Sequence, residues 1–298
     1  MAVDGEPLAR PWLIAACVTP LRDGGTRLDE AALAPMVEFL RQRGVDGVLA
    51  AGTTGEGVLL EIDERRRLTE RLRELVTGRL LVHCGAQTTA ATVALAAHAA
   101  RAGADGVAVI APPYYPLDPE ALLSHFVAAA RACAPTPFYC YAFAARSGYP
   151  LPVEVVLRLR ERVDNLAGVK VSEQPWEAVA PYLAAGVPVL VGNEPLIPQA
   201  LAAGAAGSVS GLAAAFPDVV RAALDDPRPA AADRLRHLRD ALGGGGVFVA
   251  AVKHALALRG VPVGPDVRAP LRRLSRAEAA AVEAAVATLP DRPPSPAR

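Results

Sequence analysis

The chain has 298 residues, 52% of them hydrophobic, and its 31 basic and 31 acidic side chains give a formal charge of zero. This balance predicts no nucleic-acid partner and no anionic membrane partner, and no apolar run reaches the roughly 20 residues needed to cross a bilayer. The first eleven residues lack the basic segment and apolar core of a signal peptide, so we expect a cytoplasmic protein.

Eight short apolar runs alternate with longer segments of helical pattern. The runs are apolar almost throughout instead of alternating with polar residues, which is typical of parallel strands buried on both faces. The predicted strands are Leu13–Val18, Gly47–Ala51, Leu80–Cys84, Gly106–Ile110, Pro137–Tyr141, Leu166–Val171, Pro188–Val191 and Gly207–Ser210.

The segments between these runs are amphipathic or alanine-rich, which predicts a helix after each strand. Asp29, Asp63 and Asp118 are candidate N-caps, and Pro119 and Pro152 suit a first helical turn. The predicted helices are Asp29–Arg43, Asp63–Val76, Thr89–Arg101, Pro119–Arg131, Pro152–Arg162, Pro175–Ala184 and Pro195–Ala203.

After Phe216 the pattern is purely helical, through Pro217–Leu224, Ala230–Leu242, Val247–Leu258 and Ser275–Thr288. Repeated strand–helix units favour a closed (β/α)8 TIM barrel, followed by a helical appendage of two or three helices. The doubly wound alternative lacks its G-x-G-x-x-G turn after the first strand. We expect an N-terminal tail over 1–10, the barrel over 11–225, a C-terminal helical region over 226–290 and a disordered tail over 291–298.

The four cysteines form no C-x-x-C pair, and the five histidines do not complete a metal pattern with them. Small buried hydrophobic side chains are therefore favoured over a disulfide or a metal site. We expect neither a metal nor a cofactor.

Lysine is rare in this chain, because all basic residues except Lys170 and Lys253 are arginine. An arginine cannot lose its proton in a protein, whereas a buried lysine can, so a lysine kept against this bias is a candidate for amine chemistry. Lys170 lies in the predicted strand Leu166–Val171, and a neutral amine there could attack a ketone to form an imine. The alternative is a lysine that reaches the rim or pairs with an acid.

Further polar residues follow other strands, at the end where a barrel of this kind has its active site. The segment Gly52-Thr53-Thr54-Gly55-Glu56 follows the second strand, and its backbone N–H groups and two hydroxyls suit a substrate carboxylate. A glycine-rich turn in which Thr54 caps the next segment is the alternative.

Tyr115 follows the fourth strand, Tyr141 ends the fifth, and Arg146 lies in the loop after it. A phenol can relay a proton and an arginine can bind a carboxylate through two hydrogen bonds, although tyrosines at a barrel rim are common. Gly192 follows the seventh strand and Val209 lies in the eighth. Two interpretations apply to these segments: close approach of the backbone to a ligand, or a simple tight turn at the rim.

In this order, the segments G-T-T-G-E, P-Y-Y, Y-x-x-x-x-R-S-G, G-V-K and G-x-x-G-x-V-S resemble the dihydrodipicolinate synthase / N-acetylneuraminate lyase family over roughly residues 10–290. The resemblance implies a TIM-barrel lyase with a class I aldolase mechanism, which acts on pyruvate or another 2-oxo acid together with an aldehyde. It also implies a homotetramer or homodimer.

Carried over to this chain, the resemblance makes Lys170 the Schiff-base lysine and Tyr141 the phenol that shuttles protons. Thr53 and Thr54 bind the pyruvyl carboxylate, and Thr53 joins the proton relay. Tyr115 matches a tyrosine that completes the site of a neighbouring subunit. Further substrate contacts fall at Arg146, which receives the second carboxylate, at Val209, which packs near pyruvate, and at Gly52 and Gly192.

Several positions depart from the family pattern, and they concern the second substrate. The usual Asn and Pro after the catalytic tyrosine are Ala142 and Ala144, and Ile62 and Ala91 stand where lysine-inhibited synthases have His and Glu. We therefore expect no feedback by lysine. Within the family, the retention of Arg146 and both tyrosines favours the activity of 4-hydroxy-tetrahydrodipicolinate synthase, which condenses pyruvate with aspartate semialdehyde. A 2-keto-3-deoxy sugar acid aldolase or a secondary-pathway aldolase is the alternative, and a catalytically dead ligand-binding barrel is a third hypothesis.

Overall fold

A computed structural model describes residues 10–289, and its frame is a closed barrel of eight parallel strands. The first strand pairs with both the second and the eighth, which closes the barrel. All eight predicted strands are confirmed. Their bounds are Trp12–Ala16, Gly47–Ala50, Arg79–His83, Gly106–Ile110, Phe138–Ala142, Leu166–Val171, Val189–Val191 and Gly207–Ser210. Apart from residue 10, the expected tails lie outside the described residues.

A helix follows each barrel strand, as predicted. These helices are Leu33–Arg41, Ile62–Leu75, Thr89–Arg101, Pro119–Cys133, Val153–Arg160, Trp176–Ala184, Ile197–Ala202 and Pro217–Asp225. None of them, nor any other helix within residues 10–289, is long and apolar enough to span a membrane.

The predicted N-caps had mixed outcomes. The Asp118 carboxylate accepts hydrogen bonds from the backbone of Glu120 and Ala121 at 2.9 Å, so this cap is confirmed. The predicted Asp63 cap is wrong, because that helix begins at Ile62 and its N-cap is Glu61. Asp29 precedes a 3-10 turn and makes no capping bond with its side chain.

The barrel interior is filled by side chains from alternating strand positions. Below the mouth of the barrel these residues form one apolar cluster, which includes Trp12, Ile14, Leu49, Leu81, Ala108, Tyr139 and Leu190. The outward-facing positions pack against the surrounding helices in a second, larger cluster. Because the lower interior is full, a ligand can enter only at the mouth, where the strands end.

The pairing of the fifth and sixth strands contains a bulge that fixes which way Lys170 faces. Phe138 pairs with Leu166, but the next residue, Tyr139, pairs with Gly168, so two residues of the sixth strand stand opposite one of the fifth. Beyond this point Tyr141 pairs with Lys170. Because side chains alternate along a strand, the extra residue brings the lysine to the inner face beside the tyrosine.

Beyond the barrel, the described chain continues as three helices, Pro229–Ala241, Val247–Leu258 and Arg276–Ala287, which confirms the predicted helical appendage. Two local features were not predicted. A two-stranded hairpin joins Leu21–Arg22 to Arg27–Leu28, and a short helix, Ala144–Ser147, follows the fifth strand. The hairpin turns through Asp23, Gly24 and Gly25, all with positive φ, and an Asp-Gly pair is a common signal for such a turn.

Candidate active site

Lys170 and Tyr141 lie side by side at the mouth of the barrel. Lys170 is only 5% exposed, and its Nζ lies 3.9 Å from the centroid of the Tyr141 ring. Since both residues belong to paired strands, the strand register itself sets the relation of amine to phenol. The predicted pairing of these two groups is therefore present in the structure.

Tyr141 connects the lysine to the loop after the second strand. Its phenol oxygen lies 3.2 Å from the Thr53 hydroxyl, within hydrogen-bonding distance. Thr54 is buried and lines the same cavity. A phenol joined to a second hydroxyl can pass a proton between substrate and solvent.

The loop that carries these threonines folds back on itself. Ala51 and Glu56 are left-handed, with φ of 53° and 56°, and the Gly57 N–H donates to the Gly52 carbonyl at 3.1 Å. A Cβ at Gly57 would lie 1.8 Å from the Ala51 oxygen, so only glycine fits there. We call residues 52–57 the threonine loop. Gly52 closes this turn and does not line the cavity, so the structure does not support direct contact with substrate.

A cavity of about 570 Å³ opens above Lys170. Seven of the nine predicted site residues line it, namely Thr53, Thr54, Tyr141, Arg146, Lys170, Gly192 and Val209. Tyr115 does not. Its side chain is 73% exposed, with its ring edge-to-face against Tyr114 at 4.8 Å between centroids. In a single chain Tyr115 therefore stays outside the site.

Gly192 gives the lysine its space. A Cβ at this position would lie 2.1 Å from the Ser172 hydroxyl oxygen and 3.3 Å from Lys170 Cε. Any side chain here would displace Ser172 and crowd the lysine. Glycine is thus required at this position because two side chains pack closely against it, and not because of an unusual φ.

Arg146 lies at the rim, with its guanidinium 5.3 Å from the centroid of the Phe143 ring. It belongs to the short helix Ala144–Ser147, and within residues 10–289 no carboxylate forms an ion pair with it. The buried Glu173 supports this helix by accepting a hydrogen bond from the Ala144 N–H at 2.8 Å. Burial raises the pKa of Glu173, and the hydrogen bond opposes that shift. An unpaired guanidinium at the mouth is available to a substrate carboxylate.

One wall of the cavity comes from the helical appendage. The appendage was predicted, but its contribution to the cavity was not. The appendage residues in this wall are Arg236, Arg239, Asp240, Gly245, Phe248 and Val249. Arg239 stacks 4.3 Å above the Phe248 ring and donates to Glu194 at 3.3 Å. Glu194 is buried and also accepts from Ser210 and from the Leu212 N–H, at 2.9 and 3.0 Å. The amphipathic pattern shows which helix face is buried but not what it packs against.

His83 was also missed, because it lies within an apolar strand and matches no motif. Its Nδ1 lies 3.0 Å from the carbonyl oxygen of Ala51, just before the threonine loop, and its ring meets Tyr141 edge-on. Burial lowers the pKa of His83 to about 3, with the charges of Arg65 and Lys170 acting in the same direction. The neutral ring therefore donates Nδ1–H to Ala51.

Within residues 10–289, no group of three or more His, Cys, Asp or Glu side chains could hold a metal ion. Cys17, Cys84, Cys133 and Cys140 are all buried and unbridged, which confirms the prediction that they act as small hydrophobic side chains. Burial raises the pKa of each thiol.

Comparison with known proteins identifies the family and the fold. The sequence profile described as the dihydrodipicolinate synthetase family matches residues 11–289. An uncharacterised DapA-like lyase of Halobacterium salinarum is 37% identical, and a 4-hydroxy-tetrahydrodipicolinate synthase of Syntrophus aciditrophicus is 32% identical. The first match covers 96% of both chains, the second 88% of this chain and 92% of the relative. The crystal structure of dihydrodipicolinate synthase DapA-2 from Bacillus anthracis superimposes with a TM-score of 0.87 at 26% identity, over 95% of this chain and all of the other.

Proposed function

We propose, from the premise that this chain belongs to the dihydrodipicolinate synthetase family and is a lyase, that Lys170 forms an imine with the ketone of pyruvate. The observation that carries the proposal is the buried amine 3.9 Å from the Tyr141 ring, with the phenol in turn 3.2 Å from the Thr53 hydroxyl. A lysine, a proton relay and a set of hydroxyl donors converge on one cavity.

In the proposed reaction, the threonine loop holds the pyruvate carboxylate through the Thr53 and Thr54 hydroxyls. The neutral Lys170 amine attacks the ketone carbon, and the carbinolamine loses water after its oxygen takes a proton from Tyr141. The Tyr141 phenolate takes a proton from the methyl carbon to give an enamine, and the phenol returns this proton to the aldehyde oxygen as the enamine bonds to the aldehyde carbon of the second substrate. Hydrolysis of the imine then releases the product and restores the amine. In the cleavage direction the same bonds break in reverse order.

For the second substrate we propose aspartate semialdehyde, which makes the chain a 4-hydroxy-tetrahydrodipicolinate synthase. The support is Arg146, an unpaired guanidinium at the rim of the cavity that holds Lys170. A fork of N–H donors suits the carboxylate of an amino acid aldehyde.

A second candidate is an aldolase for 2-keto-3-deoxy sugar acids. It is favoured by three neutral polar side chains, Ser172, Gln174 and Asn193, which line the same cavity. Such groups suit the hydroxyls of a sugar-derived aldehyde. Turnover of pyruvate with aspartate semialdehyde, compared with pyruvate and a panel of hydroxylated aldehydes, distinguishes the two.

We also propose that the working enzyme is a homotetramer or homodimer in which Tyr115 enters the site of a neighbouring subunit. The support is the exposed pair Tyr114 and Tyr115, two large aromatic side chains that a single chain leaves in solvent. Aromatic residues are enriched where protein surfaces associate.

Borohydride reduction in the presence of pyruvate tests the central proposal. The wild-type mass is expected to rise by one reduced pyruvyl group, located on Lys170 by peptide mapping. Lys170→Arg keeps the charge but has no amine that can form the imine, so it should fold, gain no mass and have no activity. An unmodified wild type would leave a binding-only barrel, and an active Lys170→Arg variant would exclude the imine.

A further inference from the structure

The other lysine of the chain forms a buried ion pair beside the active site. Lys253, on the appendage helix Val247–Leu258, donates to the Glu56 carboxylate at 2.5 Å, and neither side chain has any solvent exposure. Glu56 is the acidic residue of the G-T-T-G-E segment and lies within the threonine loop. The ion pair therefore connects the helical appendage to the loop that carries Thr53 and Thr54.

Each charged group of the pair has a second hydrogen-bond partner. Lys253 also donates to the Asp266 carbonyl at 2.6 Å, and the second Glu56 oxygen accepts from the Arg268 N–H at 2.6 Å. Burial lowers the pKa of Lys253, and the Glu56 carboxylate opposes that shift. A buried ion pair often adds little net stability compared with an apolar pair of similar size, because desolvation offsets the attraction. Stability alone is therefore a weak reason for this pair, and its position beside the loop points to a geometric role.

Glu56 is also tied to the shape of the loop. Its backbone is left-handed, with a φ of 56°, and its N–H donates to the Thr53 carbonyl at 3.3 Å. The same appendage helix reaches the loop a second time through Phe248. A Cβ at Gly211 would lie 3.0 Å from the Phe248 ring and 3.1 Å from the Thr54 hydroxyl. Gly211 thus lies between Phe248 of this helix and Thr54 of the loop.

We propose that Lys253 is a positioning residue, which holds the carboxylate-binding threonine loop through Glu56. In this role the helical appendage takes part in binding pyruvate, and the inference rests on the pyruvate chemistry proposed above. Loss of the lysine would let the loop shift, and displacements of about 1 Å in a binding group can cost up to roughly 100-fold in function.

The test variant is Lys253→Met, in which pyruvate-dependent borohydride trapping of Lys170 is followed against pyruvate concentration. We expect the half-saturating pyruvate concentration to rise about tenfold or more, while the trapping rate at saturating pyruvate changes less than threefold. Arg259→Met is the matched control. Arg259 follows the same helix and pairs with Asp218 of the barrel at 2.9 and 3.0 Å, with both side chains largely buried. It should lower the melting temperature but keep the half-saturating concentration within twofold of wild type.

The double variant Glu56→Gln/Lys253→Met covers the case in which Lys253→Met leaves Glu56 unpaired and fails to fold. Removing both charges should restore thermal stability without restoring pyruvate affinity. The inference is overturned if the folded single or double variant has a half-saturating pyruvate concentration within twofold of wild type. It is also overturned if the Arg259→Met control raises this concentration as much as Lys253→Met does. A wild type that traps no pyruvate would instead overturn the proposed function, so the two failures are distinguishable.

Discussion

At the scale of single residues, Tyr141 combines two roles that can be separated. Its ring face covers the Lys170 amine at 3.9 Å, and its hydroxyl contacts Thr53 at 3.2 Å. The hydroxyl alone can carry a proton.

Tyr141→Phe should keep the ring and the fold but lose the relay. Turnover is expected to fall by about 10²–10⁴, the usual scale for lost general acid–base catalysis. Steady-state kinetics with a circular dichroism control would measure it. A loss under tenfold would show that another group moves the proton.

Arg146 provides a test of the second substrate. Since it has no ion-pair partner within residues 10–289, Arg146→Ala should leave stability and pyruvate trapping unchanged. With aspartate semialdehyde, the KM should rise by roughly 10- to 100-fold, because a hydrogen bond to a charged group contributes about 1.5–3 kcal/mol. Arg146→Lys, which retains the charge but not the fork, should recover part of the loss. An unchanged KM in Arg146→Ala would favour the sugar acid alternative.

At the scale of secondary-structure elements, His83 joins the third strand to the start of the threonine loop. Its neutral ring donates to the carbonyl of the left-handed Ala51. The folded pKa, about 3, lies below the ordinary value of 6.5. The unfolded chain therefore binds a proton here as the pH falls below about 6.5, while the folded chain binds it only near pH 3. This contribution to stability is complete above pH 6.5 and is lost on acidification.

The variant His83→Asn can still donate to Ala51 through its amide, but it cannot titrate. Between pH 7 and pH 5, the wild-type free energy of unfolding should fall by about 2 kcal/mol more than that of the variant. Urea unfolding at the two pH values measures the difference. Equal pH dependence in both proteins would mean that His83 is not held neutral.

Much of this architecture could be predicted from the sequence, because buried parallel strands leave unbroken apolar runs. The strands Gly106–Ile110, Leu166–Val171 and Gly207–Ser210 have the predicted bounds. The register bulge was not predictable, since one extra residue leaves the apolar run unchanged. The N-cap Glu61 was missed because Asp63 has the same capping chemistry two residues later.

The residues of the candidate site that follow strand ends could be predicted from the sequence. Those that come from distant segments of the chain could not. Lys170, Tyr141 and the two threonines belong to local motifs, and the structure brings them together. Arg239 and Phe248 enter from helices that follow the barrel, so tertiary packing alone places them there. The rarity of lysine was an incomplete guide, because Lys253 is retained in a buried ion pair.

At the scale of the whole molecule, the proposed association through Tyr115 has a direct consequence for activity. Specific activity and the rate of pyruvate trapping should fall when the protein is diluted until its subunits separate, because a single chain leaves Tyr115 outside the cavity. Sedimentation velocity at the same concentrations would give the state of assembly. Tyr115→Phe should retain the assembly but lower the trapping rate. Undiminished activity in a monomer would exclude a role for Tyr115 in a neighbouring site.

The extra residue in the sixth strand determines which residue lies opposite Tyr141. Losing one residue between Leu166 and Lys170 could remove the bulge and still leave the lysine opposite Tyr141. Losing two would place the lysine opposite Cys140, whose side chain packs toward the surrounding helices. The pairing of Lys170 with Tyr141 is therefore compatible with loss of the bulge, but any further change in the length of this segment by one residue would turn the amine away from the cavity.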